Sequence, residues 1–329
     1  MTSLILGRSL TEPEMESAMA EIMEGRVPEN EIAAFLTDLA QRGETVDEIT
    51  GAARALRKKA ATIRAPRDAL DCCGTGGDGI GTYNISTAVA LVAASCGVPV
   101  AKHGNRAASS KSGAADVLES LGVNLGVPHE KLEQALRELN FCFLMAPRHH
   151  EAVRHVVPVR KKLGFRTIFN LLGPLANPAG TRYQLMGVFD RKWIVPLAQT
   201  LGRLGSKKAW IVHGSDGLDE ITLTGPTYIA MLENGQVTET TVEPKDFGLA
   251  SVRAEELLGG AASENAKALQ ALLDDNPSAY RDIVIANCAA VLNVHGSAST
   301  LKEGVALAAK AIDSGAALEV LNNYRKFTA

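Results

Sequence analysis

A chain of 329 residues has length for about two domains, and 46% hydrophobic with 22% charged residues is ordinary globular composition. A net charge of −3 and an isoelectric point near 6.2 leave no draw toward nucleic acid or anionic membranes. Five cysteines with no Cys-x-x-Cys spacing speak against a disulfide framework or structural zinc, and with neither a leader nor a membrane-length apolar run the chain is expected to be cytoplasmic.

Residues 1 to about 64 read as all-helical. Thr11 with Glu14 is a capping-box pair opening a helix that runs to Met23 before Gly25. Pro28 suits a helix start, with Ile32, Phe35, Leu36 and Leu39 on one face and a stop at Gly43. Thr45 with Glu48 repeats the box before Ile49, Ala52, Ala53 and Leu56. Three short amphipathic helices bury little by themselves, so they are expected to pack on other parts of this chain or on a second copy. Arg64–Arg67 reads as a linker.

From Ala69 strands and helices alternate, which argues for a mainly parallel sheet flanked by helices. The predicted strands are Ala69–Cys73, Val98–Lys102, Phe141–Leu144, Gln184–Phe189 and Ala209–Val212, with helices such as Ile85–Ala94, Ala114–Leu121, His129–Leu139 and Ile194–Leu204 between them. Thr227–Leu232 and Val237–Val242 flank Asn234-Gly235, a hairpin turn signal, and the tail from Asn265 is helical. Two basic, helical-looking runs, Glu151–Leu163 and Arg166–Leu172, interrupt the alternation. They are expected to return to the helical domain. The reading is therefore α/β: a helical domain of residues 1–65 joined by 151–175, and a larger domain of 66–150 and 176–329.

Four stretches carry chemistry. Gly74-Thr75-Gly76-Gly77-Asp78-Gly79, continuing through Thr82 and Asn84 to Thr87, leaves a strand and opens a helix. Its glycines let amides face a ligand, and the helix adds its positive end, a combination that binds phosphate. It is neither a dinucleotide fingerprint nor a Walker loop. Asp78 suits sugar hydroxyls or a metal better than bare phosphate. Lys102-His103-Gly104-Asn105-Arg106, with Ser109, Ser110 and Ser112, also follows a strand and offers cations and hydroxyls for a second phosphate, Ser112 being placed to cap the next helix. Asp216-Gly217-Leu218-Asp219-Glu220 supplies two adjacent carboxylates that in a loop can both reach Mg²⁺, with Ser86 as a hydroxyl ligand. Arg160 has the planar fork that suits a substrate carboxylate. His149, His150 and His155 lie close in sequence but without zinc spacing.

In order along the chain, Gly74–Asp78, Asn84–Thr87, Lys102–Arg106 with Ser109-Ser110, Ser112–Asp116, Pro158-Val159-Arg160, Arg166–Asn170, Gly173-Pro174-Leu175 and Asp219-Glu220 closely resemble the anthranilate phosphoribosyltransferase family over essentially the whole length. Tyr83, where Phe is common, and Cys72-Cys73 are the departures. The resemblance implies a nucleoside-phosphorylase-like fold, a small helical domain on a larger α/β domain, dimerising through the helices, with a hinged cleft. It implies that Gly74, Gly77, Asp78, Thr82, Asn84, Ile85, Ser86, Thr87, Lys102, His103, Gly104, Asn105, Arg106, Ala107, Ala108, Ser109, Ser110 and Ala114 hold phosphoribosyl pyrophosphate. Ser86, Asp219 and Glu220 would hold Mg²⁺, and Gly74, Asn105 and Arg160 would meet anthranilate. Lys102, Asn105 and Arg160 are the expected catalytic residues. The alternatives are a pyrimidine nucleoside phosphorylase-like enzyme, and a transferase-like nucleic-acid-binding relative that the acidic balance disfavours.

Overall fold

The computed structural model describes residues 6–107 and 111–329. Three helices open the chain: α1 (Glu12–Met23), α2 (Glu29–Arg42) and α3 (Val46–Lys59). Thr11 and Thr45 close both expected capping boxes, each satisfying otherwise unpaired first-turn amides. Then come β1 (Leu70–Gly74), α4 (Ile85–Ser95), β2 (Val100–Gly104), α5 (Ala114–Ser120), α6 (His129–Leu139) and β3 (Phe141–Met145). The short helices α7 (Ala146–His149), α8 (Val157–Leu163) and α9 (Phe169–Leu172) lead to β4 (Tyr183–Gly187), α10 (Ile194–Arg203) and β5 (Lys208–Gly214). The hairpin β6 (Thr227–Glu233) and β7 (Gln236–Val242) follows. The chain ends with α11 (Pro244–Phe247), α12 (Ala262–Leu273), α13 (Ala279–His295), α14 (Leu301–Asp313) and α15 (Ala316–Thr328).

Among the described residues, seven strands form one sheet in the order β3-β2-β1-β4-β5-β6-β7. The first five are mutually parallel and β6 and β7 are antiparallel. At the hairpin, Asn234 (φ 52°) and Gly235 (φ 76°) both take the left-handed conformation that the tight turn requires. Side chains alternate across the sheet with the period of two set by the pleat. On β5, Trp210 and Val212 enter one core with α4, α13 and α15, while Ala209 and Ile211 enter the other. That second core takes α10 and also Met15, Phe35, Leu36 and Ile49 of the first three helices, together with Val156, Val159, Ile168 and Leu172. The opening helices thus bury their apolar faces on their own chain, as one of the two expected arrangements.

Glu151–Leu163 is not one helix: a 3-10 turn, Glu151–His155, precedes α8, whose first turn contains Pro158. Proline has no amide to donate back and clashes with a preceding turn, so the break falls where it does. Arg166–Leu172 likewise shortens to α9. Ser112 does not cap α5. Gly113 occupies that position, and Asp116 accepts from the Gly113 amide at 3.0 Å. Among the described residues no helix is long and apolar enough to cross a membrane.

Helices α1 and α3 touch where Gly51 faces Glu12: a methyl group there would overlap the Glu12 carbonyl and crowd Met15 and the Glu16 amide. Gly51→Ala is expected to cost about 1–3 kcal/mol by overpacking against backbone, lowering Tm by roughly 2–4 °C per kcal/mol. Circular dichroism melts test this, and an unchanged Tm contradicts so close a helix crossing.

Candidate active site

Strand β1 is flanked by β2 on one side and β4 on the other, so successive crossovers diverge at its carboxyl end. Helices α4 and α10 accordingly lie in the two different cores. Open α/β sheets leave their ligand crevice at such a switch point. Here Gly74 and Gly187 are register partners at the ends of β1 and β4, and Asp219 lies over both. A side chain on Gly74 would strike the Asp219 carboxylate, and one on Gly187 the Asp219 carbonyl. The Gly76 amide donates to Asp219 Oδ2 at 2.8 Å. The glycine loop and the 219–220 loop are therefore one construction.

Around that seat stand Asp78, Ser86, Lys102 and Glu220. Lys102 is 1% exposed; its Nζ donates to the Cys72 carbonyl at 2.7 Å and to Ser86 Oγ at 3.1 Å. The Ser86 amide and hydroxyl face the Glu220 carboxylate. Burial, then mutual repulsion with Glu220 and Asp78, pushes the Asp219 carboxyl well above the usual carboxylate range. Burial likewise raises Glu220, with Lys102 and Ser86 working against the shift. Both residues are nevertheless only partly buried, so a ligand in the crevice can reach them. Crowded acids of this kind fit a hard divalent cation, which neutralises them with oxygen ligands. Among the described residues no group of three or more His, Cys, Asp or Glu is arranged to hold a metal. The donor set of Ser86, Asp219 and Glu220 therefore fits an ion whose coordination a phosphate ligand completes.

Helix α4 begins at Ile85 with Asn84 at its cap, and the Asn84 side chain does not satisfy its first turn. That carboxamide is held elsewhere, accepting from Asn265 Nδ2 at 2.8 Å and donating to the Ser112 carbonyl at 3.3 Å. The helix presents its amino end toward the loop, ready for an anion. Gly77 takes φ 76°, a backbone conformation open chiefly to glycine, and Thr82 bridges to Leu258. Among the described residues, buried Thr87 Oγ has no partner. Behind the crevice, fully buried Asp71 accepts from the His103 amide at 3.1 Å. Its carboxyl is raised by burial and drawn back by Lys102.

The sequence offered Lys102–Arg106 with Ser109, Ser110 and Ser112 to a second phosphate. Lys102 and His103 are buried at the end of β2, whereas Asn105 and Arg106 are exposed. Arg106 pairs with Glu119 and, at 3.1 Å, with Asp116. Gly104 and Ala114 close the base of the loop, since a side chain on Gly104 would meet Phe143 and Ala114. Ala107 donates its amide to Asp116 at 2.9 Å. Ala108, Ser109 and Ser110 lie outside the described residues.

Arg160 projects from α8, half-buried, with Asn170 Oδ1 at 3.5 Å and the Phe169 ring at 5.6 Å. Among the described residues it has no carboxylate partner, and burial alone pulls its guanidinium below the usual range. A cation in that setting gains most from an incoming carboxylate. Two contacts join its segment to the crevice: Arg166 Nη2 donates to the Gly77 carbonyl, and His103 Nδ1 lies 3.1 Å from the Gly173 carbonyl. Sequence reasoning gave neither Arg166, which also stacks over Phe189, nor Asp71 a place at the crevice; a charge inside an apolar strand run was the available signal for Asp71. The three histidines do not form one cluster. His149 stacks on His129 at 4.5 Å, and His150 meets His103 edge-on at 5.2 Å. Burial lowers His103 to about 3 and His150 to about 4, so both are neutral at pH 7.

The raised Glu220 carboxyl has a stability consequence. A group that holds its proton more tightly folded than unfolded favours folding at low pH, and that support is lost as pH rises through its folded value. In the ligand-free protein, Glu220→Gln is expected to raise Tm by about 2–4 °C at pH 8 and to change it little at pH 4.5. A pH-independent effect in calorimetry contradicts the assigned environment.

Known proteins share this architecture. Residues 66–318 match the glycosyl transferase family a/b domain and residues 1–60 its helical bundle domain. The anthranilate phosphoribosyltransferase of Rhodospirillum rubrum is 57% identical over 96% of this chain and 91% of its own length. That of Azospirillum brasilense is 56% identical over 100% and 92%. The crystal structure of anthranilate phosphoribosyltransferase from Thermus thermophilus superposes with a TM-score of 0.93 at 44% identity, covering 98% of this chain and 96% of that one. The Saccharomyces cerevisiae enzyme in complex with PRPP and Mg superposes at 0.88 and 28% identity, covering 97% and 93%. With both halves of its architecture and nearly its whole length matched, the chain belongs to the anthranilate phosphoribosyltransferase family.

Proposed function

We infer that the protein transfers the phosphoribosyl group of phosphoribosyl pyrophosphate to the amine of anthranilate, releasing pyrophosphate. The observation that carries this is the joining of an anion-binding helix end, Lys102 and the carboxylates Asp219 and Glu220 on the glycine seat between β1 and β4. The yeast relative's complex with PRPP and Mg supports the same pairing of ligand and ion.

In this reading Gly74, Gly77, Asp78, Thr82, Asn84–Thr87, Lys102–Ser110 and Ala114 hold phosphoribosyl pyrophosphate. Ser86, Asp219 and Glu220 hold Mg²⁺, and Gly74, Asn105 and Arg160 hold anthranilate. The amine nitrogen bonds to ribose C1 as the C1–oxygen bond breaks, and the electron pair leaves with pyrophosphate. An aromatic amine is neutral at pH 7, so no general base is assigned, and its surplus proton passes to solvent. Mg²⁺, when bound, supplies positive charge against the departing pyrophosphate. Lys102 and the loop and helix amides add fixed donors that need no rearrangement as that charge develops. Arg160 and Asn105 contribute by aligning the amine with C1.

Residues 1–65 with 151–175 form one wall of the cleft, and 66–150 with 176–329 the other. The Arg166–Gly77 and His103–Gly173 contacts would be the ties that tighten or loosen as it closes. Two copies pair through the helical part, a reading supported by exposed Val157 and Phe165 on the returned segment and tested by sedimentation. Five free cysteines suit the cytoplasm.

Loss of anthranilate fluorescence, dependent on protein, phosphoribosyl pyrophosphate and Mg²⁺ together, tests the activity. No loss with folded protein overturns it. Arg160→Ala is expected to raise the KM for anthranilate by about tenfold or more, the scale of a lost charge-assisted contact, with the KM for phosphoribosyl pyrophosphate nearly unchanged. Equal weakening of both substrates contradicts the division of labour.

A further inference from the structure

We propose that Asn287 is a positioning residue for the site: its buried carboxamide holds both the backbone N–H and the backbone C=O of Ile221 and so fixes the direction in which Asp219 and Glu220 face. Asn287 lies in the middle of α13 and is 0% exposed. Its Oδ1 accepts from the Ile221 amide at 2.9 Å, and its Nδ2 donates to the Ile221 carbonyl at 2.8 Å. The second Nδ2 hydrogen goes to the Ile283 carbonyl at 2.9 Å, one turn back on the same helix. That third bond holds the amide in a single orientation, leaving one donor and one acceptor aimed at the backbone of a single residue. A purely helical role would need only the Ile283 bond. The two bonds to Ile221 cross 66 residues of sequence to the position that directly follows Glu220.

The clamp is needed because the loop holds like charges together. Asp78, Asp219 and Glu220 repel one another across the crevice, and a free loop would relax by turning its acids outward. The preceding part of the loop is held separately: Asp216 Oδ2 accepts from the hydroxyls of Thr222 and Thr224, each at 2.7 Å, and Asp219 rests on Gly74 and Gly187. Asn287 is the tie from α13, the helix packed in the same core as Ile221. The same helix α13 carries Tyr280, whose hydroxyl donates to the Asn84 carbonyl at 3.1 Å at the cap of α4. One rigid helix thus sets the spacing between Ser86 and Glu220, the two sides of the proposed ion site.

This inference rests on reading those carboxylates as metal-holding, and the experiment separates the two claims. Mn²⁺ is titrated into intact protein with phosphoribosyl pyrophosphate, and free ion is followed by its electron paramagnetic resonance signal. Wild type, Asn287→Ala, Asn287→Ser and Val291→Ala are compared. Ser keeps a hydroxyl near Ile221 and serves if Ala does not fold. Val291, fully buried one turn further along α13, reports what loosening the helix does by itself. The expected result is an Mn²⁺ Kd raised about 10-fold or more in the Asn287 variants, the scale seen when residues supporting metal ligands are removed, and a Kd near wild type in Val291→Ala. Equal affinity in wild type and the Asn287 variants overturns the positioning role. An equal loss in Val291→Ala overturns it too, since general loosening then suffices. No Mn²⁺ binding by wild type overturns the metal reading itself.

Discussion

The seating of Asp219 on two glycines is the constraint on which the rest of the site depends. Gly74 and Gly187 end adjacent parallel strands in register, and the absence of side chains lets the 219–220 loop descend onto the sheet edge. From that contact the Gly76 amide reaches the Asp219 carboxylate, and Glu220 is brought to Ser86 at the start of α4. A methyl group on either glycine would lift the loop away and separate the acids from the helix end. The sheet order supplies the crevice, but the two glycines decide what fills it.

What fills it is an arrangement of crowded charge. Asp78, Asp219 and Glu220 stand on one side and Lys102 on the other, and the Asp219 and Glu220 carboxyls resist ionisation. Such an arrangement costs stability in the free protein and becomes favourable when a divalent cation and a polyanion enter together. Arg160 is likewise a half-buried cation without a carboxylate among the described residues. In the proposed reading the acids and Arg160 each offer the complement of one substrate. The two hydrophobic cores, which divide at the sheet, keep these opposed groups on separate supports.

Much of this was legible along the chain because its signals are local. Four glycines between a strand and a helix, a capping box at Thr11, and Asn234-Gly235 between two β-rich runs each depend on neighbours in sequence. The adjacent acids Asp219-Glu220 were readable as a pair, although their raised protonation was not. Hidden features depend on long-range contacts. Asn287 looks like any helix residue until Ile221 is beside it, and Arg166 looks like a surface cation until it meets Gly77. Gly187 gave no signal because its partner lies in another loop. The break before α8 was readable from Pro158, yet the basic, apolar periodicity around it favoured one continuous helix. His149 and His150 are neighbours in sequence whose rings stack on different partners.

The central claim is that the crowded acids await a cation and a phosphorylated sugar, and proton counting tests it most directly. A carboxyl raised in the free protein gives up its proton when a cation arrives, so binding should release protons. Calorimetric titration of Mg²⁺ with phosphoribosyl pyrophosphate, at pH 7 in buffers of differing ionisation enthalpy, measures that number for wild type and Glu220→Gln. The account predicts a larger proton release in wild type than in the variant. Equal release in the two proteins would contradict it.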